Sequence, residues 1–164
     1  MQKFDAVVVG GGPGGYGCAI RLAQNGLRAA LVEEAELGGT CLNRGCIPTK
    51  TLLHSAGVYY QAKNGAAFGV SAGDVTFDYA KIMERKDAVS KQLRNGIDFL
   101  EKSHGVTVLK AHATLTSRTT VSLDGGETLS CRYLILATGS SPARLPIPGA
   151  DLPGVVDSTG LLNR

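Results

Sequence analysis

The chain opens with a β-branched apolar run, Phe4 to Val9, interrupted only by Asp5 and stopped by a glycine cluster. Such a run predicts a parallel strand buried on both faces. From Gly14 the spacing turns helical, with Tyr16, Ala19, Ile20 and Ala23 on one face and Gly26 as the stop. A second apolar run, Ala29 to Val32, ends at Glu33. Strand, helix and strand follow within about thirty residues, the size of one right-handed βαβ unit. The Gly/Thr/Cys/Asn-rich stretch from Leu37 to Gly45 predicts no regular structure, and a helix is expected from near Pro48 through Tyr60. Asp78 is placed to cap a long amphipathic helix ending near Gly105, with Tyr79, Ile82, Met83, Val89, Leu93, Ile97 and Leu100 on its apolar face. Val106 to Lys110 predicts another strand. Short alternating runs between Ala111 and Ser130 break at Ser117-Arg118 and Asp124-Gly125-Gly126, as in an antiparallel meander. Tyr133 to Ala137 predicts a last buried strand running into Thr138-Gly139. After Ser141, proline and glycine punctuation predicts a connector.

These elements predict an α/β domain with a central parallel sheet, flanking helices and a small meander. Composition changes this picture in one respect. Hydrophobic residues at 43% and charged residues at 19% are ordinary for a globular chain, but 22 glycines in 164 residues are close to double the usual ~7%. Much of the backbone therefore turns sharply or approaches something closely. A net charge of +3, with no run of five basic residues, argues against a nucleic-acid binder. No stretch reaches the ~18 apolar residues of a membrane span, and the first apolar run is too short for a secretion signal. The expected compartment is the cytoplasm, where four cysteines are not a secreted disulfide scaffold and a disulfide would be catalytic or redox-active.

Gly10-x-Gly12-x-x-Gly15 lies between strand and helix, with Glu33 about twenty residues on, as a dinucleotide site requires. Gly10 permits a tight turn, Gly12 lets a pyrophosphate approach the backbone, and Gly15 allows close helix–strand packing. The helix N-terminus offers N–H groups and partial positive charge to phosphate. Glu33 is a candidate acceptor for an adenosine ribose. A turn serving packing alone would leave Glu33 unexplained, and the spacing does not separate FAD from NAD.

Cys41 and Cys46 form the second informative feature. Five residues apart in a regular helix, their Cα atoms would be roughly 8.6 Å apart, whereas a disulfide needs about 4.4–6.8 Å. Gly45 supplies flexibility and Pro48 disfavours helical geometry at Ile47, so a distorted turn is expected. A thiol near the start of the following helix would have its thiolate stabilised. The residues leave open a reactive pair, half of a metal site, or two unrelated thiols. No second Cys/His pair has ligand spacing, since His54, His104 and His112 are scattered, and no metal is expected. Cys18 and Cys131 read as small buried residues.

The segment Gly38-Gly39-Thr40-Cys41-Leu42-Asn43-Arg44-Gly45-Cys46-Ile47-Pro48-Thr49-Lys50 resembles the redox-active segment of the flavoprotein disulfide reductases. Leu42 and Ile47 resemble the dihydrolipoamide dehydrogenase branch rather than the glutathione or mercuric reductases, and Thr49 stands where the family most often has Ser. The resemblance extends over most of the chain, through the glycine fingerprint and Ala137-Thr138-Gly139-Ser140, which is similar to the family's second flavin-contacting turn. It implies a Rossmann-like FAD-binding fold, with residues 1–145 as its first segment and 146–164 as a connector toward a nicotinamide-binding domain. Gly10, Gly12, Pro13, Gly14 and Gly15 would hold the FAD pyrophosphate, Glu33 the adenosine ribose, and Ala113 the adenine side through its backbone. Gly38, Gly39, Thr40, Thr138, Gly139 and Ser140 would line the flavin side.

The same resemblance implies a disulfide between Cys41, the thiol that attacks substrate, and Cys46, which lies against the isoalloxazine. Lys50 would approach the flavin's reactive nitrogen, unless it is a solvated surface lysine. Electrons would pass from dihydrolipoamide on a lipoyl carrier domain through the disulfide and FAD to NAD in a homodimer. Family members are nearly three times this length, with a second glycine fingerprint, a later Gly-Asp flavin stretch and a C-terminal His-Glu pair. The chain is therefore expected to be an incomplete, N-terminal part of such an enzyme and inactive alone. A non-catalytic dinucleotide-binding module and a glutathione- or mercuric-reductase-like enzyme are the alternatives.

Overall fold

Strand β1 (Gln2–Val9) divides the molecule into layers. In the computed structural model, which describes Met1–Arg164, Val7 and Val9 join Ala30 and Val32 of β2 (Ala29–Glu33) in one apolar cluster. Val8 and Leu31 join a second cluster. This is the two-residue alternation of a strand, with both faces covered as parallel strands require. Phe4 of β1, Val121 and Leu123 of β5 (Thr120–Leu123) and Leu129 and Cys131 of β6 (Thr128–Leu136) complete the first cluster. Ala19 of α1 (Pro13–Gln24) and Val106 complete the second, with Tyr16, Cys18 and Leu22 packed around them. The layers are thus meander, parallel sheet and helix.

With β3 (Thr107–Lys110) and β4 (Ala113–Ser117), the strands run in the order β3-β2-β1-β6-β5-β4. The first four are mutually parallel, while β5 is antiparallel to both β6 and β4. The meander and the last strand expected from the pattern share one element. The first residues of β6, Thr128 to Ser130, pair with β5, and the strand runs beside β1 from Leu129 to Leu136. The expected burial of that last strand fails in part, since Tyr133 and Leu136 are exposed.

Three further expectations are corrected. Residues Gly39–Arg44, expected to be irregular, form the short helix α2. Helix α3 (Cys46–Lys63) begins before Pro48 and includes Ile47. A proline in the first turn costs nothing there, because the first four N–H groups of a helix have no intrahelical acceptor. The stretch after Ser141 is turn-rich, yet it ends in a one-turn helix, α5 (Ser158–Leu161), capped by Asp157 Oδ1 accepting from Gly160 N at 2.8 Å.

Helix α4 (Tyr79–Ser103) is capped as expected, with Asp78 Oδ1 accepting from Lys81 N at 3.2 Å. Its inward face differs from the expected stripe. Lys86, Ser90, Ile97 and Glu101 are buried, whereas Tyr79, Leu93 and Leu100 are exposed. Polar partners account for part of this. Lys86 Nζ donates to Leu162 O at 2.9 Å and to Asn163 Oδ1 at 3.4 Å, and lies 3.1 Å from Asp87. The Glu101 carboxylate has no partner on either oxygen, and burial pushes its pKa up to about 7.

Candidate functional site

The chain leaves β1 through Gly10, whose φ of +104° is a conformation that side chains resist and whose N–H donates to Val32 O at 2.8 Å. A Cβ at Gly10 would lie 2.2 Å from Ala137 O, and one at Gly15 would lie 1.7 Å from Gly10 O. The fold itself demands both glycines. Gly12 is different, because a Cβ there would meet only Gly39 Cα, at 3.7 Å, an ordinary contact. Packing within the chain does not explain Gly12, and a group approaching the N-terminus of α1 does. That terminus has Gly12 as N-cap, Pro13 first in the helix, no capping side chain and no acidic residue in its first turn. Its unopposed partial positive charge suits a phosphate, so the residues present fit a dinucleotide.

Glu33 ends β2 beside this loop. Its Oε2 accepts from Gly11 N at 2.6 Å and its Oε1 from Ala35 N at 2.8 Å. A carboxylate has about four acceptor sites, so each oxygen keeps one for a ribose hydroxyl. A cleft of ≈ 160 Å³ opens where the strands end, and it brings Gly10, Glu33, Ala113 and Thr138 together. His112 and Glu34, which the pattern did not single out, line the same cleft with His112 Nδ1 2.6 Å from Glu34 Oε2. The Glu34 carboxylate, through that hydrogen bond and its charge, raises the His112 pKa. The only sequence signal for the pair was its position, each residue next to a candidate contact, Glu33 or Ala113.

The cysteine segment abuts the glycine loop. Gly38 N donates to Gly11 O at 2.8 Å, and a Cβ at Gly39 would come within 2.7 Å of Gly12 Cα. Gly38 and Gly39, at φ +94° and +54°, turn the chain into α2. Thr40 is exposed there, and Cys41 is half-buried on the helix. Gly45 separates α2 from α3, so Cys46 is the first residue of a new helix rather than a continuation of the old one. This break is the distortion expected of the segment. Both thiols are free. Cys41 is raised in pKa, chiefly by its hydrogen bond with Cys46, then by burial and by the charge of Cys46, against a lowering by Lys50. Lys50 follows Cys46 by one turn of α3 and is exposed. Thr138, Gly139 and Ser140 leave the end of β6 on the exposed side of the loop.

Cys18 is half-buried in α1 and Cys131 is buried in β6, where its Sγ donates to Thr119 O at 3.6 Å and burial raises its pKa. No three His, Cys, Asp or Glu side chains cluster to hold a metal ion. No helix is long and apolar enough to cross a membrane.

Residues 4–163 match the family model described as pyridine nucleotide-disulphide oxidoreductase. A dihydrolipoyl dehydrogenase from Acholeplasma laidlawii is 50% identical over 149 residues, which covers 90% of this chain and 44% of the relative. Another, from Chlamydia muridarum, is 43% identical over 166 residues and covers 99% and 36% respectively. Among solved structures, the Cu(II) complex of the HOCl-induced flavoprotein disulfide reductase RclA from Escherichia coli matches with a TM-score of 0.83 at 33% identity. It covers 100% of this chain and 35% of that one. The chain spans less than half the length of these relatives.

Proposed function

The chain belongs to the pyridine nucleotide-disulphide oxidoreductase family, and from that premise we propose that it is the FAD-holding, dithiol-bearing part of a dihydrolipoamide dehydrogenase. The observation that carries the reading is the junction of its two motifs. The glycine loop that suits a pyrophosphate and the Cys41/Cys46 pair are joined backbone to backbone through Gly38 and Gly11. A dinucleotide laid along that loop runs toward the pair. Gly10 to Gly15 would hold the pyrophosphate, Glu33 the ribose and Ala113 the adenine side, while Gly38 to Thr40, Lys50 and Thr138 to Ser140 would surround the flavin.

In the oxidised enzyme Cys41 and Cys46 form a disulfide. A dihydrolipoamide thiolate attacks the Cys41 sulfur, and Cys46 leaves as a thiolate. The second substrate thiol, losing its proton, then displaces Cys41 and closes the lipoamide disulfide. Two electrons are thereby left on the protein dithiol. FAD, when bound, supplies the two-electron relay from this dithiol to NAD. Lys50, which opposes the upward shift of Cys41, helps the released Cys41 sulfur to carry charge.

The whole enzyme, in this proposal, is a cytoplasmic homodimer served by lipoyl carrier domains. The test is the full-length protein assayed with dihydrolipoamide plus NAD and, separately, with glutathione disulfide plus NADPH. Activity with the first pair, lost in Cys41→Ser and Cys46→Ser, is expected. Activity with the second pair alone would favour the other reading, a different disulfide reductase, which the likeness to RclA over the whole chain supports.

A further inference from the structure

We propose that Arg94 is a positioning residue for the Cys41/Cys46 pair, acting through Asn43; the assignment rests on the redox reading of that pair. Asn43 lies on α2 between the cysteines. Its Nδ2 is within hydrogen-bond distance of the carbonyls of Gly39 at 2.9 Å, Leu37 at 3.0 Å and Glu36 at 3.3 Å. A primary amide has two N–H groups, so the three carbonyls share them. They fasten α2 to the loop that enters it.

The other end of the same amide is held from α4. Arg94 Nη1 donates to Asn43 Oδ1 at 2.8 Å, with the Arg94 side chain only 28% exposed. Arg94 Nε is also 3.9 Å from Glu36 Oε2, and Glu36 Oε1 accepts from Lys110 Nζ at 3.3 Å. One guanidinium thus reaches both the helix and the loop before it. A charge-assisted hydrogen bond of this kind is about twice as strong as a neutral one.

Helix α2 depends on such outside support. It has six residues, starts on two glycines and has no capping side chain. A helix this short does not hold itself in water, and Gly, Thr, Cys and Asn are weak helix formers. Cys41 rides on α2 whereas Cys46 starts α3, so any tilt of α2 changes the separation of the two sulfurs. Disulfide geometry tolerates little of that. Without Arg94, Asn43 is free to turn, the three carbonyls are released and the sulfurs meet less often.

Closure of the pair can be measured against glutathione. The two thiols lose two protons and two electrons and form one S–S bond, while glutathione disulfide gains them and becomes two glutathiones. The full-length protein is equilibrated in glutathione mixtures and quenched with acid. Free thiols are alkylated, and the Cys41–Cys46 disulfide is quantified by mass spectrometry. Arg94→Met, which keeps the apolar stem and removes the donors, is expected to lower the closure constant about threefold to tenfold, tenfold being ~30 mV for a two-electron couple. Arg94→Lys is expected to recover at least half of that shift on a logarithmic scale. Asn43→Ser should reproduce the loss, and adding Arg94→Met to it should change little.

A folded Arg94→Met protein with the wild-type closure constant overturns the assignment, as does a full additional loss in the Asn43→Ser background. If Arg94→Met fails to fold, Arg94→Gln against wild type decides in the same way, and a wild-type closure constant in it overturns the assignment. Wild-type protein that closes no disulfide at any ratio removes the redox reading and this one together. Normal closure in wild type and variants alike removes only Arg94.

Discussion

One methyl group distinguishes the three glycines of the fingerprint. At Gly15 it would lie 1.7 Å from a carbonyl oxygen, and at Gly12 it would meet nothing closer than 3.7 Å. Gly15→Ala is therefore expected to cost more than about 3 kcal/mol, the upper end for overpacking, read from urea unfolding. Gly12→Ala should unfold at the wild-type urea concentration yet lose at least ninety per cent of its bound FAD, read from flavin absorbance after desalting. Normal flavin content in that variant would make the fingerprint a packing device. Glu101 makes a second prediction at this scale. Its folded pKa of about 7 lies above its ordinary 4.5. Below pH 4.5 folded and unfolded chains are both protonated, so Glu101 adds no pH dependence. As pH rises toward 7 the unfolded chain ionises first, and stability falls by up to about 3 kcal/mol. Glu101→Leu should remove that slope, so its advantage over wild type grows from pH 4 to pH 8. An advantage constant with pH would mean that Glu101 titrates alike in the folded and unfolded chains.

Elements differ in how far the residues alone disclose them. The βαβ unit was legible because its requirements are local: an apolar run, a glycine turn and a helical face follow one another in the chain. Helix α2 was not, since its residues are poor helix formers and its support comes from Arg94, about fifty residues away. Strand β6 was split in the reading because it serves an antiparallel partner at its start and a parallel one beyond. Two patterns therefore meet in one strand without a turn between them. On α4 the apolar spacing pointed to Leu93 and Leu100, yet the inward face carries Lys86, whose partners Leu162 and Asn163 lie more than seventy residues away. Those partners make a prediction for the element. Lys86→Ala removes the donor that ties the end of α5 to α4, leaving the Tyr79 hydroxyl, which donates to the Arg164 carbonyl, as the other hydrogen bond between them. Limited proteolysis between residues 141 and 157 should then quicken about tenfold, with cleavage elsewhere unchanged. Equal rates in the two proteins would show that apolar contacts hold the segment.

The candidate site is unevenly built across the whole molecule. Its proposed adenosine half is walled by the ends of β1 and β2 and by Ala113 at the start of β4, around a cleft already formed, which Thr138 of the proposed flavin side also borders. Glu33 there has both oxygens fixed by backbone N–H groups. In the proposed flavin half Gly38 is buried and Gly39 half-buried against the glycine loop, while Thr40, Cys46, Lys50, Thr138, Gly139 and Ser140 are all exposed. The motifs nominated residues for the site but did not disclose this asymmetry, because wall and opening are set by the layers and not by spacing. Binding energy should follow the ordered half, where little is lost in further ordering. ADP carries the adenosine and both phosphates of FAD without the flavin. Calorimetric titration of this chain should therefore give a Kd for ADP within about tenfold of that for FAD, a difference of no more than ~1.4 kcal/mol. Gly12→Ala should weaken both ligands alike, since both place a pyrophosphate at the same helix terminus. FAD binding a hundredfold tighter than ADP would instead mean that the exposed half closes over the isoalloxazine and supplies much of the affinity.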